Sequence, residues 1–187
     1  MSATDALPPA VERILYRPAE IADAVARMAD AIAKETRGEP LVLVPVLKGA
    51  ATLGADLARA LPALLDVRID YLAVSSYRDS HRSSGRVRLV LDTEESIEGK
   101  HVVIVEDIVE EGLTVRFVQQ LLGARGPASL RTCALLDKPY RREVAVPVDY
   151  LGFEVPDAFI VGYGLDYQEK YRNLPYLGTL RPGALDE

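Results

Sequence analysis

Between Val102 and Thr114 an apolar run ends on two adjacent carboxylates, Glu106 and Asp107. Three residues later come Glu110, Glu111, Gly112, Leu113 and Thr114. Ionised carboxylates accept hydrogen bonds, so the first pair suits a vicinal diol such as two ribose hydroxyls, or a divalent metal approached through its waters. The second group opens a helix. Helix-start N–H groups favour a phosphate, Gly112 permits close backbone approach, and Thr114 adds a hydroxyl. Diol and phosphate binding a few residues apart describe a cradle for ribose 5-phosphate. The segment also reads as an ordinary acidic first turn, which the helix dipole favours. No GxxxxGK[ST] or GxGxxG is present, so neither familiar nucleotide loop is in play.

A strand must carry the carboxylates and a helix must follow. His101 to Val105 is apolar enough for a strand buried on both faces, and Leu113 to Gly123 places Val115, Val118 and Leu122 on one helical side. Leu41 to Leu47 and Leu130 to Leu136 predict two further strands of the buried type. Val67 to Val74 and Val87 to Leu91 predict others, and short ones follow between Tyr150 and Tyr163. Helices are expected from about Pro18 to Arg37, where Ile21, Val25, Met28 and Ile32 share a face, and from Thr52 to Leu61. The serine-rich stretch from Ser75 to Gly85 reads as a long exposed loop. Residues 1–10 read as a flexible lead-in closed by Pro8-Pro9, and residues 11–187 as a single domain. Strand-then-helix units imply an α/β fold with a parallel central sheet flanked by helices. Ligands bind beyond the carboxyl ends of such strands, here after Leu47, Val105 and Leu136.

Bulk properties narrow the partners. A net charge of −6 over 187 residues disfavours a polyanion held by counterion release, so nucleic acid is not expected. About half of the chain (49%) is hydrophobic, enough for a sizeable core, yet no apolar run is long enough to cross a bilayer. The single cysteine, Cys133, lies in an apolar run and reads as a buried thiol. No secretory pattern precedes Pro9, and a reducing cytoplasm is the expected compartment.

The Val102–Thr114 stretch resembles the phosphoribosyl pyrophosphate signature of the hypoxanthine-guanine phosphoribosyltransferases. The resemblance extends over almost the whole chain. Val46-Leu47-Lys48-Gly49 is similar to that family's pyrophosphate loop, Ser75-Ser76-Tyr77 to the opening of its hood loop, and Leu135-Leu136-Asp137-Lys138-Pro139 to its purine-reading lysine segment. Gly152 to Asp157, Phe159 to Tyr167 and Lys170 to Pro175 are similar to its C-terminal signature. The resemblance implies a type I phosphoribosyltransferase fold with a small hood formed by terminal segments. It implies transfer of a 5-phosphoribosyl group to N9 of hypoxanthine or guanine, dependent on Mg²⁺, by a homodimer or homotetramer.

By the same resemblance, Glu106 and Asp107 hold the ribose diol, and Glu111, Gly112, Leu113 and Thr114 cradle the 5-phosphate. Lys48, Gly49 and Arg172 face the pyrophosphate, and Asp166, with Glu106 and Asp107, stands near the metal. Lys138 donates to the purine O6, Phe159 stacks on the base, and the backbone at Ile160 reads its edge. Ser76 and Tyr77 belong to the hood loop that keeps water out.

One departure bears on the chemistry. Most of the family has Asp-Thr just before the loop glycine, where this chain has Glu110-Glu111. The first position is the one that takes the purine N7 proton. Glutamate reaches roughly 1 Å further than aspartate, a misplacement that can cost ~10²-fold in rate. Glu111 fits beside a phosphate only if its side chain turns outward. Two alternatives to an active salvage enzyme therefore stand on sequence: a weak or silent nucleotide sensor on the same fold, and an RNA-binding regulator, which the charge disfavours.

Overall fold

The computed structural model describes residues 7–79 and 82–185, and the side chains of 76–86 and 185 lie outside that description. A large sheet has the strand order β5 (Arg82–Leu91), β4 (Leu72–Asp79), β2 (Leu41–Leu47), β6 (His101–Val109), β7 (Ser129–Asp137) and β8 (Tyr150–Glu154). The last four of these are mutually parallel. Helices α1 (Pro18–Thr36) and α2 (Ala51–Ala60) cover one face, and α3 (Leu113–Gly123) covers the other.

Burial on both faces follows from the runs themselves. Val42, Val44, Val102 and Ile104 pack toward α3, while Leu41, Leu43, Val103 and Val105 pack toward α1 and α2. Alternation along each strand sends neighbouring residues to opposite layers. Cys133 and Met28 meet in the first layer, with sulfurs 3.6 Å apart, and desolvation pushes the thiol pKa up to about 12. Gly54 lets α2 approach β2, since a Cβ there would stand 2.3 Å from Pro45 Cγ. Arg27 of α1 donates to the carbonyls of Leu151 and Gly152 and ties that helix to β8.

Three sequence expectations change. Val67 to Val74 is not one strand but two: β3 (Val67–Ile69) pairs with the start of β2, and β4 pairs with its end. The chain steps aside at Asp70 and Tyr71 to pass from one to the other. Ser75 to Gly85 is not a long loop, because β4 and β5 continue into it as an antiparallel pair whose register runs to Asp79↔Arg82. Polar side chains are compatible with a strand pair that lies at the sheet's edge. At the N-terminus, residues 1–6 of the expected lead-in lie outside the described residues, while Val11 N–H donates to the Pro8 carbonyl and Arg181 donates to the carbonyls of Pro9 and Ala10, so residues 8–10 are tied to the fold.

A second sheet joins the chain's two ends. β1 (Val11–Tyr16) pairs antiparallel with β10 (Leu177–Leu180), and β10 pairs with β9 (Ile160–Val161). Val11, Val161, Tyr176 and Leu180 form its small core. Tyr16 stacks on Phe153 with ring centroids 3.8 Å apart, which fastens this sheet to the end of β8. This sheet is built from segments near both ends of the chain, as the resemblance implies for the hood.

Candidate active site

The ends of β6 and β7 and the strand β9 enclose a cavity of about 410 Å³. It is lined by Asp107, Ile108, Glu110, Lys138, Phe159, Ile160, Leu165, Asp166, Tyr167 and Gln168. Six expected site residues thus come together: Asp107, Glu110, Lys138, Phe159, Ile160 and Asp166. Parallel register explains the meeting of Glu110 and Lys138. Val109 opposes Asp137, so the next residue of each strand leaves the sheet at the same level.

Lys138 has a buried side chain whose ammonium stands 2.5 Å from Glu110 Oε1 and 2.9 Å from the Ala158 carbonyl. Arg141 approaches the same carboxylate at 4.0 Å. Phe159 is 40% exposed, too open for a core residue, and meets Tyr167 edge-on at 5.2 Å. A cavity beside an exposed ring, a buried ammonium and a carboxylate suits a planar heterocycle with adjacent acceptor and donor atoms.

Glu106 and Asp107 diverge. Asp107 lines the cavity, while Glu106 is buried on the other side of the strand and is not among the cavity's lining residues. Burial, then the charge of Asp107, raises the Glu106 pKa well above the usual carboxylate range. Burial also raises that of Asp107, to about 6. Hydrogen bonds from the Ile108 N–H and its own backbone, and attraction from Arg172, oppose the rise, and Asp166 adds to it.

Gly49 is pressed against Asp107: a Cβ there would fall 1.6 Å from Asp107 Oδ2. Gly164, at φ +103°, is pressed in turn against the Gly49 carbonyl. The Leu47–Lys48 peptide is cis. Arg172 donates to the Gly164 carbonyl and pairs with Asp166 at 2.7 Å and Glu169 at 3.2 Å, while Lys48 reaches Glu169 at 2.8 Å. Lys48, Gly49, Asp166 and Arg172 therefore form one connected group beside the cavity. Gly112, at φ +88°, caps α3, with Leu113 and Thr114 in its first turn, and Glu111 is exposed as a neighbouring phosphate would require. Ser76 lies on β4 opposite Val87 and Tyr77 lies on the same strand, but their side chains are outside the described residues.

A phosphoribosyl transferase domain model matches residues 12–168. The hypoxanthine-guanine phosphoribosyltransferase of Mycobacterium avium is 47% identical over 171 residues, which are 91% of this chain and 83% of that one. The chain belongs to the hypoxanthine-guanine phosphoribosyltransferases. A hypoxanthine phosphoribosyl transferase structure from Trypanosoma cruzi superposes with a TM-score of 0.91 at 42% identity, covering 97% of both chains. A second Trypanosoma cruzi structure, in complex with the product IMP, gives 0.88 at 43% identity over 95% of this chain and 98% of that one.

Sequence reasoning about this phosphoribosyltransferase missed several participants. Tyr167 and Gln168 line the cavity, and Glu169 bridges Lys48 and Arg172. Gln168, Glu169 and Tyr171 all hold positive φ values, at 51°, 62° and 75°. Side chains rarely tolerate that conformation, and such positions gather at functional sites, yet nothing in the residue types announces it.

Proposed function

We propose that this chain moves the 5-phosphoribosyl group of phosphoribosyl pyrophosphate onto N9 of hypoxanthine or guanine, giving IMP or GMP and pyrophosphate. The observation that carries the reading is the Lys138–Glu110 pair in the cavity beside Phe159. A 6-oxopurine presents O6 and N7 as neighbours on one edge. An ammonium has donors only, so Lys138 selects an oxo group over adenine's amino group. Leaving such a buried donor unpaired costs roughly 1–3 kcal/mol. The adjacent carboxylate accepts the N7 proton. The contact with Lys138 also gives the longer glutamate a fixed place, which offsets its extra methylene.

In the reaction N9 attacks the ribose C1 as the bond from C1 to the pyrophosphate oxygen breaks. Positive charge develops on the ring, and the N7 proton passes to Glu110. Phe159 stacks on the base, and the Ile160 backbone reads its edge. Asp107, on the cavity, holds the ribose with Glu106 buried behind it rather than beside it, and the turn from Glu111 to Thr114 holds the 5-phosphate. Lys48, Gly49 and Arg172 attend the leaving pyrophosphate, and the hood loop at Ser76 and Tyr77 excludes water.

Among the described residues no cluster of three or more potential ligands could enclose a metal ion. Two cavity carboxylates, Asp107 and Asp166, suit Mg²⁺, which binds through one or two carboxylates together with substrate phosphates. Asp107 and Asp166, both on the cavity, are the natural pair, with Glu106 behind them. When bound, the ion neutralises charge on the pyrophosphate. We further propose a cytoplasmic enzyme acting as a homodimer or homotetramer; among the described residues no helix is long and apolar enough to cross a membrane.

Incubation with donor, Mg²⁺ and hypoxanthine, guanine, xanthine or adenine tests the reading, with nucleotide and pyrophosphate as products. Formation of IMP or GMP but not AMP is expected. Tight nucleotide binding with no turnover on any purine would replace the enzyme with a sensor.

A further inference from the structure

The loop assigned above to the 5-phosphate has a back as well as a front. Arg142, whose side chain is largely buried, donates from Nη1 to the Glu110 carbonyl at 2.5 Å and pairs through Nη2 with the Asp137 carboxylate. The next two residues continue the contact, since the Glu143 and Val144 N–H groups both donate to the Glu111 carbonyl at 3.0 Å. Gly112 then passes so close that a Cβ would stand 2.6 Å from the Val144 carbonyl and 3.1 Å from Arg142 Cδ.

In a trans peptide the C=O and the following N–H point in opposite directions. With the Glu110 carbonyl turned to Arg142, the Glu111 N–H faces away from it. With the Glu111 carbonyl turned to Glu143 and Val144, the Gly112 N–H does the same. The Leu113 and Thr114 N–H groups open α3. None of these four N–H groups has a protein acceptor among the described residues. Two peptide planes are thus held so that their donors converge with the helix start.

Resting on the phosphoribosyl reading of this loop, we propose that Arg142 is a positioning residue for 5-phosphate recognition. It touches no substrate. It fixes the Glu110–Glu111 peptide so that the Glu111 N–H faces the phosphate, and its pairing with Asp137 locks the end of β6 to the end of β7, on which Lys138 follows. A guanidinium suits the task because its planar fork meets two acceptors at once, a carbonyl and a carboxylate, which an ammonium cannot do with fixed geometry.

Titration calorimetry with GMP and with guanosine separates this role from general support of the fold. Wild type binds GMP more tightly than guanosine. In Arg142→Met that preference falls roughly tenfold or more, while guanosine affinity stays within about threefold. Arg142→Lys retains part of the preference. An unchanged ratio in Arg142→Met overturns the proposal. Should that variant fail to fold, Arg142→Lys decides, because the ratio must drop by roughly threefold there and an unchanged ratio overturns the proposal equally. A wild type with no preference for GMP would instead overturn the phosphate reading of the loop itself.

Discussion

Two carboxylates at the end of β6, Asp107 within it and Glu110 just beyond it, play different parts in the site. Asp107 is held near pH 6 by burial, whereas the unfolded chain would release its proton near 3.8. Between those values the folded state binds the extra proton. The stability it contributes is therefore complete below about pH 4 and is lost as the pH rises through about 6. Replacing the carboxyl by an uncharged amide removes that loss. Asp107→Asn should gain about 1–3 kcal/mol over wild type at pH 8 in the metal-free, donor-free protein, and the gain should shrink toward zero near pH 4. Urea unfolding at a series of pH values reads this directly, and a difference that does not vary with pH would refute the burial argument. The variant loses activity while it gains stability, as expected where binding charge is stored against the fold. Glu110 carries a different load, because its carboxylate is already neutralised by Lys138. Glu110→Gln keeps the shape and a hydrogen-bond acceptor but cannot take the N7 proton. Its kcat should fall about 10²–10⁴-fold, with purine affinity changed far less. A kcat within threefold of wild type would move the base elsewhere.

At the scale of elements, legibility followed burial. β2, β6 and β7 could be read because strands buried on both faces must be apolar at every position, and Leu41–Leu47, Val102–Val105 and Leu130–Leu136 are nearly so. α1 could be read because one face meets the core and the other meets water. β4 and β5 were misread beyond Ser75 for the converse reason: polar residues in a strand pair at the sheet's edge carry no core-facing signature. β1 and β10 gave no signal either. Only Val11 of β1 is fully buried, β10 has four residues including Gly178, and their pairing joins opposite ends of the chain. The candidate site divides along the same line. Glu110 and Lys138 stand at the carboxyl ends of buried strands, where topology alone sends ligands. Glu169 and Arg142 act through tertiary neighbours, and a charged residue in a turn looks the same in sequence whether or not it braces anything.

The whole molecule is two bodies of unequal strength around one cavity. The large sheet rests on extensive apolar layers on both faces, while the terminal sheet has a small core of its own, from Val11, Val161, Tyr176 and Leu180, and lends Ile160 and Leu177 to the large one. Few buried contacts imply a low cost of local opening. Phe159 and Ile160, which line the cavity, lie where this weaker body meets the stronger one, since Ile160 packs into the large core and the Phe159 carbonyl accepts from Leu180 N–H. The amides of β1 and β10 should therefore exchange with deuterium through a partial opening that costs less than global unfolding and is nearly insensitive to low urea. Those of β2, β6 and β7 should exchange only through the global event. On the proposed binding of GMP through Phe159 and Ile160, nucleotide favours the closed form by mass action, so saturating GMP should slow β10 exchange by a factor set by its affinity. Exchange of both sheets with one common urea dependence would show instead that the terminal sheet opens only when everything does, and purine entry would then need no motion of the hood.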